Sequence, residues 1–411
     1  MSVFMTNLVF PSPALARVAK GALCSGCGAC AALVPEAVGM GVSDKGYLRP
    51  QQTGPVSPEQ DRAIAQVCPG LGQTVQTRDR KTHPLWGPYV SVRTGFATDS
   101  ELRFKGSSGG ALSALLAWLI ESGEVDAALT NQADPDRAVA NQPFLAKTHA
   151  DVARAAGSRY APSAPLAALE LVERGPAVFV GKPCDVAAFR ALEVQDPSLT
   201  QRFPVVLSFF CAGVPSLGGA EAVLEALGTS PERTAAFRYR GHGWPGRATA
   251  TSVDGTEASM TYHESWGRIL SSRVQHRCKL CADGTGKAAD IVCADAWETD
   301  DRGYPLFEEA DGISLVVART AKGADILARA EAAGALTTEP FDLEDLTNMQ
   351  PGQTRRRQAV SARLWGQRLL GRPVPKYMGL MLFEAARTGS WKWRLRNLLG
   401  MLRRGIGSKP E

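Results

Sequence analysis

The sequence predicts an α/β chain with α+β character, a mixed-sheet core preceded by a cysteine-rich N-terminal segment. Three observations carry this. Short apolar runs at residues 177–180, 204–210 and 313–318 have the length and bounding turns of buried strands. Helical stretches at residues 111–122, 166–174, 186–192 and 323–333 alternate with them, as in layered α/β proteins. The cysteines gather in two places, at the start of the chain and behind the strands.

In chain order, residues 1–85 are rich in Gly, Pro and polar residues, and regular structure is expected to be sparse there. Residues 89–98 read as a strand. Lys105-Gly-Ser-Ser-Gly-Gly110 then leads into the apolar helix at 111–122, with a strand at 125–129. The run at 177–180 stops at Gly181-Lys182-Pro183, read as a turn continuing through Cys184-Asp185. Residues 237–260 have short alternating runs and read as antiparallel strands. The expected division is 1–85, 86–170, 171–345 and 346–411, the last a basic amphipathic tail carrying Trp391 and Trp393.

With 411 residues, 44% hydrophobic and 21% charged, the chain has a globular composition. Its longest apolar run, 111–120, is about half of the ~20 residues that cross a bilayer. The N-terminus has no secretory pattern, so the expected location is cytoplasmic. Net charge is +5, but the seven Lys and Arg from Arg387 onward against Glu411 leave the rest near −1. That argues against nucleic-acid binding by the body. A basic amphipathic helix with tryptophans can instead lie on an anionic membrane or a partner, or dock on the chain's own body.

Nine cysteines in a chain read as cytoplasmic point to metal or redox chemistry. Cys24-Ser-Gly-Cys27-Gly-Ala-Cys30 places three thiolates three residues apart, with small residues between them. Two-cluster ferredoxins run C-x2-C-x2-C-x3-C-P. Here Val34-Pro35 stands at the fourth position, and Cys68-Pro69 offers a replacement. The expectation is a ferredoxin-like [4Fe–4S] site on Cys24, Cys27, Cys30 and Cys68, with zinc on the same thiolates the alternative. Cys184 and Cys211 each follow a predicted strand, and Cys278-Lys-Leu-Cys281 comes from a distant loop. These four could form a second site or be free buried thiols. Cys293 is the odd one, read as a small buried thiol.

The order Cys24–Cys30, Ser107-Ser-Gly-Gly110, Gly157-Ser-Arg-Tyr160, Gly181-Lys-Pro-Cys184, Phe210-Cys-Ala-Gly213, Arg277-Cys-Lys-Leu-Cys281 and Asp290 to Trp297 resembles the coenzyme F420 hydrogenase/dehydrogenase beta-subunit family over roughly residues 20–345. That family includes 7-hydroxymethyl chlorophyll a reductase and ferredoxin-dependent divinyl chlorophyllide reductases. The resemblance implies FAD and two [4Fe–4S] clusters, the second on Cys184, Cys211, Cys278 and Cys281. Cys293 departs from the Gly usual in the family, and Tyr239 to Gly246 resembles its bacterial branch more than its chlorophyll enzymes.

No Rossmann fingerprint is present. Ser107, Ser108, Gly109 and Gly110, before a helix, suit a flavin diphosphate, or they form an ordinary helix cap. Gly157, Ser158, Arg159 and Tyr160 offer a phosphate-binding arginine and a stacking ring. Gly181, Lys182 and Pro183 would put a positive charge near the flavin. Proton-donor candidates are Lys182, His242 and His276, with His263 and Tyr239 behind them. The function expected is an iron–sulfur flavoprotein oxidoreductase taking electrons from ferredoxin or a similar donor to a small-molecule substrate. The alternatives are an electron-transfer subunit of a larger complex and a non-catalytic zinc-stabilised protein of polysaccharide assembly.

Overall fold

The structure is a computed structural model describing residues 11–77, 80–297, 306 and 308–407. The ends of the expected tail and N-terminal segment, including Lys409 and Glu411, lie outside the described residues. An eight-stranded mixed sheet forms the centre. Its strands are β1 (Ser91–Ala97), β2 (Ala127–Ala133), β3 (Asn141–Ala146), β4 (Ala177–Gly181), β5 (Val205–Phe209), β6 (Ile291–Asp295), β7 (Ser314–Ala318) and β8 (Leu336–Pro340). They lie in the order β8-β1-β7-β6-β5-β4-β2-β3. The middle four, β6, β5, β4 and β2, run parallel, and the pairings outside them are antiparallel.

This explains the apolar runs. β4 and β7 are buried along their whole length because helices cover both faces, so neither strand alternates. Helix α1 (Ala111–Glu121) packs Leu115 and Leu119 on one face. Helix α2 (Pro183–Gln195) packs Val186 and Phe189 on the other, with Phe189 stacked on Phe179 of β4 at 4.6 Å. A separate three-stranded antiparallel sheet, Thr234–Arg238, Arg247–Ser252 and Glu257–Thr261, confirms the reading of 237–260.

Three expectations are corrected. Residues 1–85 hold helices at Pro13–Lys20, Ala29–Leu33 and Pro58–Val67, each started by Pro or a small residue that the Gly/Pro-rich composition disguised. The helix expected at 166–174 is a 3₁₀ turn, Pro165–Leu171, broken at Ala168 (φ −123°). Of the turn expected at 181–185, Gly181 ends β4, Lys182 caps α2 and residues 183–185 are already its first turn, where Pro183 lacks only an N–H that would be unpaired there anyway.

Beyond β8, helix α3 (Pro351–Leu369) is followed by α4 (Leu382–Arg387) and α5 (Trp391–Gly407). These helices share a core with the N-terminal segment: Val360, Leu364, Leu380 and Met401 pack with Val18, Leu23, Val34 and Ile64. Val34, at the missing fourth cysteine position, is fully buried there.

Candidate functional site

The loop carrying Cys24 and Cys27 leaves helix Pro13–Lys20 and reverses at Gly28 (φ 87°), where a Cβ would stand 2.7 Å from the Ala167 amide nitrogen. Cys30 then lies in helix Ala29–Leu33, and Cys68 ends helix Pro58–Val67. The four thiols converge. Burial pushes Cys30 up to about 12, with the charges of Cys24 and Cys68 adding to it. It pushes Cys68 up to about 11, and Cys24 adds to that too. Cys27 is raised by burial first, then by Cys68, Asp185 and Cys30.

The second group converges likewise. Burial raises Cys184 in the first turn of α2, Cys211 beyond β5 and Cys278; after burial, Asp185 and then Cys211 and Cys281 add to Cys184, Cys278 and Cys281 to Cys211, which reaches about 12, and Cys281 to Cys278. The Val214 amide donates to Cys278 Sγ at 3.4 Å, and Gly26 N–H donates to Cys24 Sγ at 3.4 Å. Cys293 reaches about 12 through burial alone and belongs to neither group. Each group of four cysteines is a thiolate donor set of the kind that can hold an iron–sulfur cluster. Among the described residues no three Cys, His, Asp or Glu side chains are arranged to hold a single metal ion.

Helix α3 bonds to the backbone around the second group and to the loop that leads into Cys24. Arg356 donates to the Cys211 carbonyl at 3.0 Å, and Gln353 Nε2 reaches the same oxygen at 3.0 Å. Buried Arg357 donates to Ala282 O at 3.0 Å, Pro84 O at 2.9 Å and Leu380 O. Arg363 donates to Lys279 O at 3.1 Å, and Gln367 to Gly21 O at 2.9 Å. This role of the arginine-rich segment had no signal in the sequence.

A cavity of about 300 Å³ opens at the carboxyl ends of β4, β5 and β6, the edge where open α/β sheets bind ligands. Ser107, Ser108 and Gly110 line one end, with Gly157, Ser158, Arg159 and Tyr160 beside them. Gly110 (φ 71°) caps α1 with no side-chain hydrogen bond. Ser108 Oγ donates to Ala294 O at 2.8 Å instead, and Ser107 Oγ accepts from the Ser158 amide. Gly110 thus caps α1 as a glycine and neither serine side chain does, while the α1 start, with Leu112 and Ser113, faces the cavity. Buried Asn131 Oδ1 and Gln353 Oε1, both on the cavity wall, have no partner among the described residues. Such orphaned acceptors suit a polar ligand.

Lys182 lines the middle, its Nζ 2.6 Å from Asp185 and 2.9 Å from Ser163 Oγ. Burial opposes its charge, but Asp185 and Cys184 outweigh that and hold it above its usual range. Cys211 also lines the cavity, so the second cup borders it directly. Arg159 spends its guanidinium on Asn141 Oδ1 (2.7 Å), Ala138 O (2.7 Å) and Ala140 O (2.8 Å).

Gly109, Gly181, Pro183, His242 and His276 do not line the cavity, nor do His263 and Tyr239. Gly109 lies against the Ser314 amide, His242 against Phe104, and His276 Nε2 against Gln367 Oε1 at 3.1 Å. Tyr239 donates to Val139 O at 2.6 Å. The far end is one that sequence reasoning missed. Arg240 forms a two-pronged pair with Asp295 (3.0 and 2.6 Å) and lies over the Tyr262 and Trp297 rings. The sequence marks Asp290 to Trp297 only as a matching segment, with no role for Asp295.

The fold is a mixed α/β one built on an eight-stranded sheet, with a cavity at the carboxyl edge of its parallel strands. Residues 92–170 match the N-terminal family, and residues 176–344 the C-terminal family, of the "Coenzyme F420 hydrogenase/dehydrogenase, beta subunit". The chain belongs to this redox family. It is 26% identical to the coenzyme F420 hydrogenase subunit beta of Methanococcus voltae, over 71% of this chain and 99% of that protein. It is 25% identical to the chloroplastic 7-hydroxymethyl chlorophyll a reductase of Oryza sativa subsp. japonica, over 56% of this chain and 47% of that protein. A chain of the F420-reducing [NiFe] hydrogenase complex from Methanosarcina barkeri shares the fold, with TM-score 0.54, 22% identity and 69% and 96% coverage.

Proposed function

We propose that this chain is an iron–sulfur flavoprotein oxidoreductase, taking electrons from ferredoxin or a similar donor and reducing a small organic substrate. Cys24, Cys27, Cys30 and Cys68 would hold one [4Fe–4S] cluster, and Cys184, Cys211, Cys278 and Cys281 the other. Bound in these sites, the clusters would carry single electrons and FAD would supply two-electron hydride chemistry. The start of α1, with Ser107, Ser108 and Gly110 on the cavity wall, would receive the diphosphate. Gly157 and Ser158 close the same end. Lys182, fixed by Asp185 and Ser163, keeps a positive charge on the cavity wall.

The observation that carries this reading is Cys211, shared between the second cup and the cavity wall. The test is anaerobic purification with iron, sulfide and flavin counted per chain. About eight iron, eight sulfide and one FAD are expected, and Cys278→Ala should lose about half the iron while keeping flavin. Zinc without flavin would overturn the proposal.

A second reading is favoured by the relatives named as hydrogenase subunits: an electron-transfer subunit whose substrate chemistry lies on a partner. Turnover of an organic substrate by the isolated chain with an artificial donor would decide against it.

A further inference from the structure

Among the described residues, eight of the fourteen exposed large apolar side chains lie between Trp365 and Ile406, about a tenth of the chain. Phe383 is 67% exposed, Trp391 62% and Ile406 81%. Over the same stretch the sequence has nine Lys and Arg residues and one acidic residue, Glu384. No other part of the described surface combines the two so densely.

Helix α5 explains how. At 100° per residue, its buried stripe of Asn397 and Met401 faces α3, where Met401 packs on Gly366 and Asn397 accepts from Arg363 at 2.9 Å. Trp391, Leu395, Leu399 and Ile406 fall on a different face, within about 100° of one another on the helical wheel. Lys392, Arg396 and Arg403 run along one flank of that second stripe. The helix is therefore apolar on two sides, and only one of them is used by the fold. Between α5, α4 and the end of α3 the open stripe continues into a groove of about 710 Å³, walled by Trp365, Tyr377, Phe383, Trp391 and Leu395. Tyr377 on its floor donates to Leu280 O at 2.8 Å, between Cys278 and Cys281.

We propose that this face, α5 with α4 and the end of α3, docks on an anionic lipid surface, lying in its plane. The charge points to lipid: cations flank the apolar stripe, and aromatic rings sit at its edge, the arrangement of interfacial helices. No helix among the described residues is long and apolar enough to cross a membrane, so contact by these helices would be peripheral.

The test uses the full chain, purified anaerobically, in flotation with vesicles of phosphatidylcholine alone or with 30% phosphatidylglycerol. At low salt, at least tenfold more protein should float with the anionic vesicles, and the preference should fall at high salt. Trp391→Ser/Leu395→Ser/Leu399→Ser changes only exposed positions and should abolish flotation. Lys392→Glu/Arg396→Glu/Arg403→Glu should abolish the anionic preference. Iron and flavin contents should stay at parental values in both variants, so the outcome is independent of the redox assignment. Equal flotation with both vesicle types, no flotation, or an unaffected serine variant would overturn the proposal. A dimer in solution that the serine substitutions dissociate, without vesicle binding, would assign the face to a second copy instead and equally overturn it.

Discussion

Replacing Arg357 by Met tests whether α3 holds the second thiol cup in place. The side chain is 1% exposed and donates to three carbonyls, Ala282 O, Pro84 O and Leu380 O. Methionine fills similar space and donates to none of them. Three orphaned buried acceptors cost about 1–3 kcal/mol each. Against that, burial lowers the guanidinium to about 10, so removing its charge returns roughly 3 kcal/mol. The balance is a destabilisation of about 3 kcal/mol, a drop of roughly 3–4 °C in melting temperature for a chain this long. The sharper readout is iron. Ala282 follows Cys281 directly, so Arg357→Met should lose the second cluster preferentially, from about eight iron per chain toward four. Arg355→Ala is the control, because that exposed side chain is not what binds Trp393, whose Nε1 donates to the Arg355 carbonyl at 3.2 Å. An Arg357→Met protein with parental iron content and melting temperature would refute the clamp.

Gly110→Ala places a Cβ 2.5 Å from the Leu102 carbonyl at φ 71° and should reduce flavin retained after desalting while leaving iron unchanged. Asp295→Asn strips the buried Arg240 of its anionic partner and should cost about 3–5 kcal/mol, read as a lower melting temperature. Arg240→Met in the same protein should recover part of that loss. Cys293, raised to about 12 by burial, is a thiol with about one part in ten thousand ionised at pH 8. Because a raised acid pKa removes the thiolate below it, iodoacetamide labelling of Cys293 in cluster-loaded protein should be slow at pH 8 and rise about tenfold per pH unit; fast labelling at pH 8, followed by mass spectrometry, would contradict this.

How much was legible in the sequence depends on distance along the chain. Cys24, Cys27 and Cys30 are set by local spacing, and the Pro after Cys68 supplied a local cue for the fourth. The buried strands were legible because helices cover both faces of the sheet, which leaves continuous apolar runs. Cys184, Cys211, Cys278 and Cys281 come from three segments, and spacing alone left them open; the resemblance tied them together. Arg357 bonds to residues 23, 75 and 273 positions away, and no periodicity announces a guanidinium reaching that far. The Arg240–Asp295 pair is equally silent, joined across 55 residues. Residues 166–174 misled because their apolar spacing suits a helix while Pro165 and the kink at Ala168 hold a 3₁₀ turn.

The parts of the chain outside residues 92–344 are not two independent additions. The N-terminal segment and helices α3 to α5 share one apolar core. Arg277 shows why that matters. It is 2% exposed, donates to Pro69 O at 2.8 Å beside Cys68, and precedes Cys278. Its charge lowers the thiols of Cys24, Cys68 and Cys278, so one guanidinium adjoins both cups. From the other side α3 reaches the Cys211 carbonyl through Arg356 and the Gly21 carbonyl through Gln367. One buried arginine and one helix thus both bond to the backbone near the two groups of cysteines. A truncation before Pro351 should expose the shared core and loosen both groups of cysteines together, so the C-terminal helices are part of the body that carries those cysteines as well as a surface.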